Sequence, residues 1–450
     1  MMKFNEVASI IKNCNSSELR NIFENGLFTE VNSRQIIQYV NETFSINSPT
    51  LLMIACKAGS IDCVKVLLDY GADLNYGNVK DLSVLCYACL SESVEMLRFV
   101  IESGLELSDK AIMDAFRIEP LVSHTKIISV LIEHISDINY CWCGTFIYLA
   151  SNAGNVVVVR SLLERGANPN FTDNSLCDPF VAASEQGHLE VVQLLLTWDV
   201  DDKLISQERL VLALTRAATY GHIDTVRYLF EQSINITTLT AALKSAVDCN
   251  KVHIVEYLID KCAECNIAMI FDPNLLSTAC CEGLVDVAQL LLTYGADPDA
   301  ADHHGDFPFR LALHHPVVLK VLLEAGANPN IHFNTGSTGL IDVVEPRHDT
   351  SIRMARDGLL LLLQHGADPN LAHADTGDTP LMKAALEYPE IGCTDLVELL
   401  LEYGADVTQV NNSGQSVLDR LGDRKQLEDV ADLCKQYIDI NLPGAKPLLK

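Results

Sequence analysis

The sequence predicts an all-α solenoid of about 12 stacked helix-turn-helix units. Three observations carry that prediction. The first is a phrase, Leu67-Leu68-Asp69-Tyr70-Gly71-Ala72-Asp73-Leu74-Asn75, which returns as Leu162 to Asn170, Leu291 to Asp299, Leu322 to Asn330, Leu362 to Asn370 and Leu400 to Thr408. With degenerate copies filled in, its glycine register falls at 71, 104, 135, 166, 199, 233, 262, 295, 326, 366 and 404, where Ile135, Asp199, Ser233 and Cys262 have replaced glycine. The second is an apolar pair just before each anchor. It stays apolar in all eleven copies, from Leu67/Leu68 through Val100/Ile101 and Leu229/Phe230 to Leu400/Leu401, as a buried helix stripe must. The third is an upstream hexad, seen as Thr50 to Ala55, Asp178 to Ala183 and Thr379 to Ala384, whose last residue stands 16 positions before the anchor in seven copies.

Each unit then reads in order. Four residues after the hexad alanine comes Gly59, Gly154, Gly187, Gly221 or Gly283, with Asn250 in one copy. Glycine or asparagine there suits a left-handed helix end. A second helix follows, carries the apolar pair and is stopped by the second glycine, giving two helices of roughly 8–10 residues per unit. Helices that short are marginal alone, so each hairpin must be held by its neighbours.

Residues 1–46 carry helical apolar spacing (Val7, Ile10, Ile11; Leu19, Ile22, Phe23; Ile36, Ile37, Val40, Phe44), and Asn15 with Glu18 forms a helix-start box. This segment is expected to cap the first repeat. Repeats occupy 47–410, with insertions near 119–124, 345–353 and 388–393. Such insertions map to loops on one face. The unit near His314-His315-Pro316 is two residues short, and Pro316 is placed to begin its second helix. Residues 411–450 read as a capping repeat with a charged helix from Arg424 to about Tyr437, then an extended tail from Ile440. No F-box or SOCS-box pattern is recognisable there.

The Thr-Pro-Leu-x-x-Ala hexad at Thr379 and the Gly-His phrases Gly187/His188 and Gly221/His222 resemble those of the ankyrin-repeat family, over about residues 47–440. The unit around Ala111–Ile135 keeps little of the family pattern beyond its apolar skeleton. The resemblance implies that turn tips ("fingers") and first helices line a concave groove that binds proteins. It also implies that His188 and His222 are structural. Asn75, Asn139, Asn170, Asn330 and Asn370 fall where some members are hydroxylated by an asparaginyl oxygenase; mass spectra without +16 adducts would end that idea.

Composition narrows the function. The chain has 32 Lys and Arg against 60 Asp and Glu, a net charge of −28. That weighs against nucleic acid or an anionic membrane as partner and favours basic partners or simple solubility. Fifteen cysteines lack a disulfide framework spacing, the start has no apolar secretory core, and no run of ~18 apolar residues occurs. A cytoplasmic, intracellular chain with free thiols is expected, with the nucleus left open.

Reactive centres are not evident. No Gly-rich phosphate loop, His-Glu-x-x-His or Gly-x-Ser-x-Gly occurs, so no catalytic residue and no cofactor is expected. Asp73, Asp297, Asp368 and Asp406 follow Gly-Ala and are expected to bond turn amides. Cys262, Cys265, Cys280 and Cys281 look superficially like a zinc set, but adjacent helical cysteines point about 100° apart, so no metal is expected. Eight of the thirteen histidines lie between His303 and His373; solvated turn residues account for them as well as a pH-sensitive edge would. Trp198 is expected to pack. Tyr76, Tyr140, Trp142, Phe171, His303, His304 and Phe333 are the candidate partner-binding residues at finger tips, with Trp142 the sharpest. Folding back onto a neighbouring finger is an equal reading for it. Arg347, Arg353 and Arg356 form a candidate second, basic-loop site. The expected function is a non-catalytic, monomeric protein-interaction scaffold; the alternative is a regulatory or inhibitory subunit of an enzyme complex.

Overall fold

The computed structural model describes residues 4–26, 33–42, 48–76, 83–118, 124–141, 144–170, 178–198, 206–232, 236–264, 272–345, 352–387, 393–422 and 427–441. Among them the regular elements are helices, joined by turns, with isolated bridges between Cys141 and Thr145 and between His332 and Thr338. The chain divides into two compact units, Met1–Ile234 and Asn235–Lys450.

Local chemistry starts most of the first helices. Thr50, Ser83, Ser108, Thr145 and Asp178 are N-caps whose side-chain oxygens accept from a backbone amide of the first turn, each cap contributing about 1 kcal/mol. The helices end as the glycines predict. Gly59, Gly154, Gly187, Gly221 and Gly283 have φ of 70–89°, and Asn250 has φ 53°. Two positions without that signal do the same: Glu92 at φ 58° and Cys14 at φ 54°. The first members of all eleven apolar pairs, Leu67 to Leu400, are buried, whereas five of the second members are only half-buried. Burying a Leu or Val is worth about 1.5–3 kcal/mol, so the first member sets how the second helix sits.

In the first unit the first helices pack in chain order: Leu51–Lys57, Val84–Cys89, Asp109–Phe116, Phe146–Asn152, Pro179–Glu185 and Gln207–Tyr220. The second helices Val94–Glu102, Thr125–Glu133, Val156–Glu164, Leu189–Thr197 and Ile223–Glu231 form the parallel row. The N-terminal segment joins the same stack. Helix Phe4–Lys12 packs on Leu51–Lys57, and Ser16–Asn21 packs on Ile61–Asp69. Asn15 accepts from the Glu18 amide as its start box predicts, and Phe23 stacks on Tyr70 at 4.6 Å. This hairpin is thus arranged like a repeat, with Cys14 at the glycine register.

The second unit repeats the arrangement with Ile236–Asp248, Pro273–Cys281, Pro308–Leu311, Gly339–Val344, Pro380–Glu387 and Val417–Leu421 as first helices. The shortened repeat finishes its first helix as a 3-10 turn, Ala312–His314, and Pro316 occupies the first turn of the second helix. The last helix runs Glu428–Asn441. It therefore extends through Ile440, which the sequence had assigned to an extended tail.

Candidate functional site

The turn phrase Gly-Ala-Asp-x-Asn is a clasp between repeats. The Asp73 carboxylate accepts from the Asn75 amide at 2.9 Å, and Asp297, Asp368 and Asp406 bond the amides of Asp299, Asn370 and Thr408 in the same way. The next side chain reaches across. Asn75, Asn139 and Asp299 accept from the amides of Glu106, Asn168 and Asn328, 2.8–2.9 Å away in the following repeat. Asn330 accepts from Asp368 and donates to the Gly366 carbonyl, and Asn370 does so with Asp406 and Gly404. Asn41 makes that pair with Asp73 and Gly71. Asn170 departs, because its Oδ1 accepts from Arg209. Where Ile135 replaces the glycine, Arg165 of the next repeat donates to the carbonyls of Ile132 and Ile135 and satisfies the helix end instead.

The Gly-His phrase is a second clasp. Nε2 of His188, His222 and His315 bonds the carbonyls of Asn152, Glu185 and Cys281 in the preceding repeat, at 2.8–3.1 Å. Each ring lies against the helix-end glycine of the preceding repeat: a Cβ on Gly154, Gly187 or Gly283 would sit 2.4–2.5 Å from Nδ1 of His188, His222 or His315. Burial, only partly opposed by the Asn152 carbonyl, pulls the His188 pKa below its ordinary value.

Ion pairs form a third set. Arg209 clamps Asp178 through Nε–Oδ2 at 2.6 Å and Nη2–Oδ1 at 2.8 Å, both side chains largely buried. Arg310 bridges Asp306 and Asp342 at 2.9 and 3.3 Å. Lys383 meets Glu345 at 2.8 Å, and Arg420 meets Asp378 at 2.6 Å. Burial pushes the Asp378 carboxyl up, but Asn411, Arg420 and Lys383 outweigh it and hold its pKa below the ordinary value.

In the second unit the finger tips are stitched together. Gly305, Gly336, Gly377 and Gly414 turn them with φ of 69–81°. Asn334 donates to the Gly305 carbonyl, the Ala374 amide to Gly336, and Asn412 to Thr376 and Asp375, at 2.8–3.0 Å. The tip residues His303, His304, Asn334, Asp375, Thr376 and Asn412 remain exposed.

The predicted partner-binding residues are placed as follows. Tyr76 and Tyr140 are half-buried in turns of the first unit; Trp142, Phe171 and Arg347 lie outside the described residues. His303 and His304 are exposed with ring centroids 3.7 Å apart, and the His303 amide donates to Asn274. Phe333 is a correction. It is 4% exposed, near Phe307 and Phe309, with the Arg310 guanidinium 5.3 Å from its ring centroid. A turn closed by its own amide to the Ser337 carbonyl carries the ring inward. Arg353 and Arg356 are exposed on the second helix Ile352–Gln364. The clasp residues Arg165, Arg209, Lys383 and Arg420 had no local signal in the sequence, since each acts on a neighbour roughly 30–40 residues away, and Arg310 carried one only for Asp306 and not for Asp342.

Cys280 is buried and Cys281 exposed, so the two point apart; Cys265 lies outside the described residues. Among the described residues no group of three His, Cys, Asp or Glu is placed to hold a metal ion. Burial drives the Cys56 thiol up to about 12 and Cys434 to about 11, which suppresses the nucleophilic thiolate. A polar cleft of about 380 Å³ lies between Ser16–Glu24 and Asp62–Val66, and its Arg20, Glu24, Asp62 and Lys65 are already ion-paired. No described helix is long and apolar enough to cross a membrane.

Comparisons with known proteins agree with this geometry. The family model for ankyrin repeats (3 copies) matches residues 22–111, 120–206, 180–269, 243–333 and 352–443. The chain is 29% identical over 262 residues to the ankyrin repeat and KH domain-containing protein mask-1 of Caenorhabditis elegans, covering 55% of this chain and 10% of that protein. It is 30% identical over 161 residues to the B-cell lymphoma 3 protein homolog of Mus musculus, covering 35% and 34%. It is 27% identical over 390 residues to the E3 ubiquitin-protein ligase KEG of Arabidopsis thaliana, covering 84% and 21%. The match thus spans about a third or less of each of these relatives. Repeats of this kind indicate a protein–protein interaction domain. Hairpin register, clasped fingers and a family match over most of the sequence agree: the chain belongs to the ankyrin-repeat family.

Proposed function

We propose that this chain is a non-catalytic scaffold or adaptor whose fingers and first helices receive a segment of a partner protein. The observation that carries this reading is where the polar groups go. Asparagines, aspartates, histidines and arginines that could serve chemistry instead bond the adjacent repeat, so they hold neighbouring hairpins in register. A catalytic site needs such groups to converge on one point in a pocket; here they are distributed along the stack, and the finger tips stay exposed.

The net charge of −28 favours a basic or extended partner segment, because the summed field repels nucleic acid and anionic membrane. The chain works as a monomer inside the cell. Tyr76, Tyr140, Trp142 and Phe171 in the first unit, and His303 and His304 in the second, are the proposed anchors; Phe333 is not among them. Arg353 and Arg356, with Arg347, offer a separate basic patch to an acidic motif. Residues 1–46 are read as a cap of the first unit and 411–450 as a cap of the second.

Affinity capture with the intact chain, beside Tyr140→Ala/Trp142→Ala and His303→Ala/His304→Ala variants, tests the reading. A partner retained by the intact chain and lost from either variant is expected. Equal retention by both variants, or turnover that survives purification and both substitutions, overturns it.

A further inference from the structure

The first helix Gln207–Tyr220 is the longest of the described first helices in its unit. It has 14 residues, where Phe146–Asn152 and Pro179–Glu185 have 7. Ser206 caps it, and the helix runs straight through the position where other repeats begin. That position, five residues before the first-helix alanine, is Thr50, Ser83, Thr145 or Asp178 in four other repeats of the unit, each an N-cap. Here it is Leu212, 42% exposed.

Leu212 begins a stripe. Arg216 and Tyr220 follow at four-residue spacing, with Glu208 one step earlier, and all four are exposed; Tyr220 is 49% exposed. The opposite side, Ala213, Leu214, Ala217 and Ala218, is buried against the repeat core. Arg216 is answered by Glu185 at 3.7 Å, so the stripe is neutral at its centre. Its length from Leu212 to Tyr220, about 12 Å at 1.5 Å per residue, fits the anchor residues along two turns of a helix laid against it.

We propose that the Leu212–Tyr220 face of this helix docks a basic amphipathic helix of a partner protein. This rests on the scaffold reading above and names the class of segment one part of that surface takes. Apolar residues of the partner cover Leu212 and Tyr220. Its flanking lysines or arginines face Glu208 and meet the summed field of a chain carrying −28, and the Tyr220 ring can take a cation on its face. That same charge argues against a second copy of this chain as occupant, since two acidic surfaces repel.

The test uses the full chain and three synthetic peptides of roughly 18 residues, long enough to form a helix: an amphipathic Leu/Lys helix, its Leu/Glu counterpart and a Gly/Ser/Lys peptide of the same charge as the first. Fluorescence anisotropy should show the Leu/Lys helix binding best. Leu212→Ser/Tyr220→Ser should weaken it at least about tenfold, and Val317→Ser, at an apolar residue exposed in the second unit, should not. A photo-crosslinker on the Leu/Lys helix should label residues 207–220 of the wild-type chain, which keeps the test independent of how the variant folds. No binding, equal binding of the Gly/Ser/Lys or Leu/Glu peptide, equal weakening by Val317→Ser, or crosslinks elsewhere each overturns the proposal. A natural partner lost on substituting Tyr140 or His303/His304 but unaffected by Leu212→Ser/Tyr220→Ser would sink this inference and leave the scaffold reading standing.

Discussion

Gly187→Ala isolates what the Gly-His clasp does. Two separate effects meet at this residue. Its φ of +75° is a left-handed conformation that costs an alanine about 1 kcal/mol. Its new Cβ would also lie 2.4 Å from Nδ1 and 2.5 Å from Cγ of His222. Because Cγ is the root of the ring, a tip rotation cannot relieve the overlap; the whole imidazole must leave. That breaks the bond from Nε2 to the Glu185 carbonyl, 2.8 Å long, at a further cost of about 1 kcal/mol, with more if the carbonyl finds no replacement. The expected total is about 2–3 kcal/mol by those two terms. Gly166→Ala is the reference, with φ +87° and nothing within 4 Å of the added carbon; it should cost about 1 kcal/mol. In a His222→Ala background the Gly187 substitution should fall to that same figure. Urea unfolding followed by circular dichroism measures the cycle, and amide exchange across 179–231 assigns it, since two compact units need not unfold together. Equal costs at Gly187 and Gly166, or no coupling between Gly187 and His222, would refute the argument.

Other clasps make parallel predictions. Arg209→Met strands the buried Asp178 carboxylate and should destabilise the first unit by about 3 kcal/mol, read as a lower urea midpoint. Arg165→Ala leaves the Ile132 and Ile135 carbonyls without their donor and should cost about 1–3 kcal/mol, with faster amide exchange over 125–135. Asn370→Ala loses both bonds to the next repeat, whereas Asn370→Asp keeps the acceptor for the Asp406 amide, so the aspartate variant should melt nearer the wild type. Two pH effects have the same sign. The Asp378 carboxyl is depressed, so its stabilisation is present above the unfolded value of about 4 and is lost as pH falls through the lower folded value; Arg420→Met should flatten that acid limb. His188 is also depressed, so its contribution is complete above about 6.5 and declines below it. The fall in Tm from pH 7.5 to 5.5 should be smaller in His188→Gln, by differential scanning calorimetry.

What the sequence disclosed follows from the range over which each force acts. Helix ends are local: a left-handed residue is decided by its own side chain, so Gly59, Gly154, Gly187 and Asn250 were legible. Glu92 and Cys14 adopt the same conformation without the residue type that announces it, because the surrounding hairpin overrides a penalty of about 1–2 kcal/mol. The Asx turns of Asp73, Asp297, Asp368 and Asp406 were legible for the same local reason, spanning two residues. Clasps between repeats were not, since Arg209 finds Asp178 across 31 residues and Arg165 finds Ile132 across 33. Phe333 shows how a surface reading fails: the aromatic residue stood at a finger position, and only the turn to Ser337 reveals that its ring is directed inward. The inverse case is Leu212, an apolar residue at a capping position. Sequence pattern counts it toward a helical core, yet the face it occupies is open. A repeat fold makes its own register easy to read because every copy votes on it. The surface that distinguishes one member from another is written where a copy departs from the rest, and at Gln207–Tyr220 the departure moves the cap to Ser206 and leaves an exposed leucine where four other repeats of the unit carry theirs.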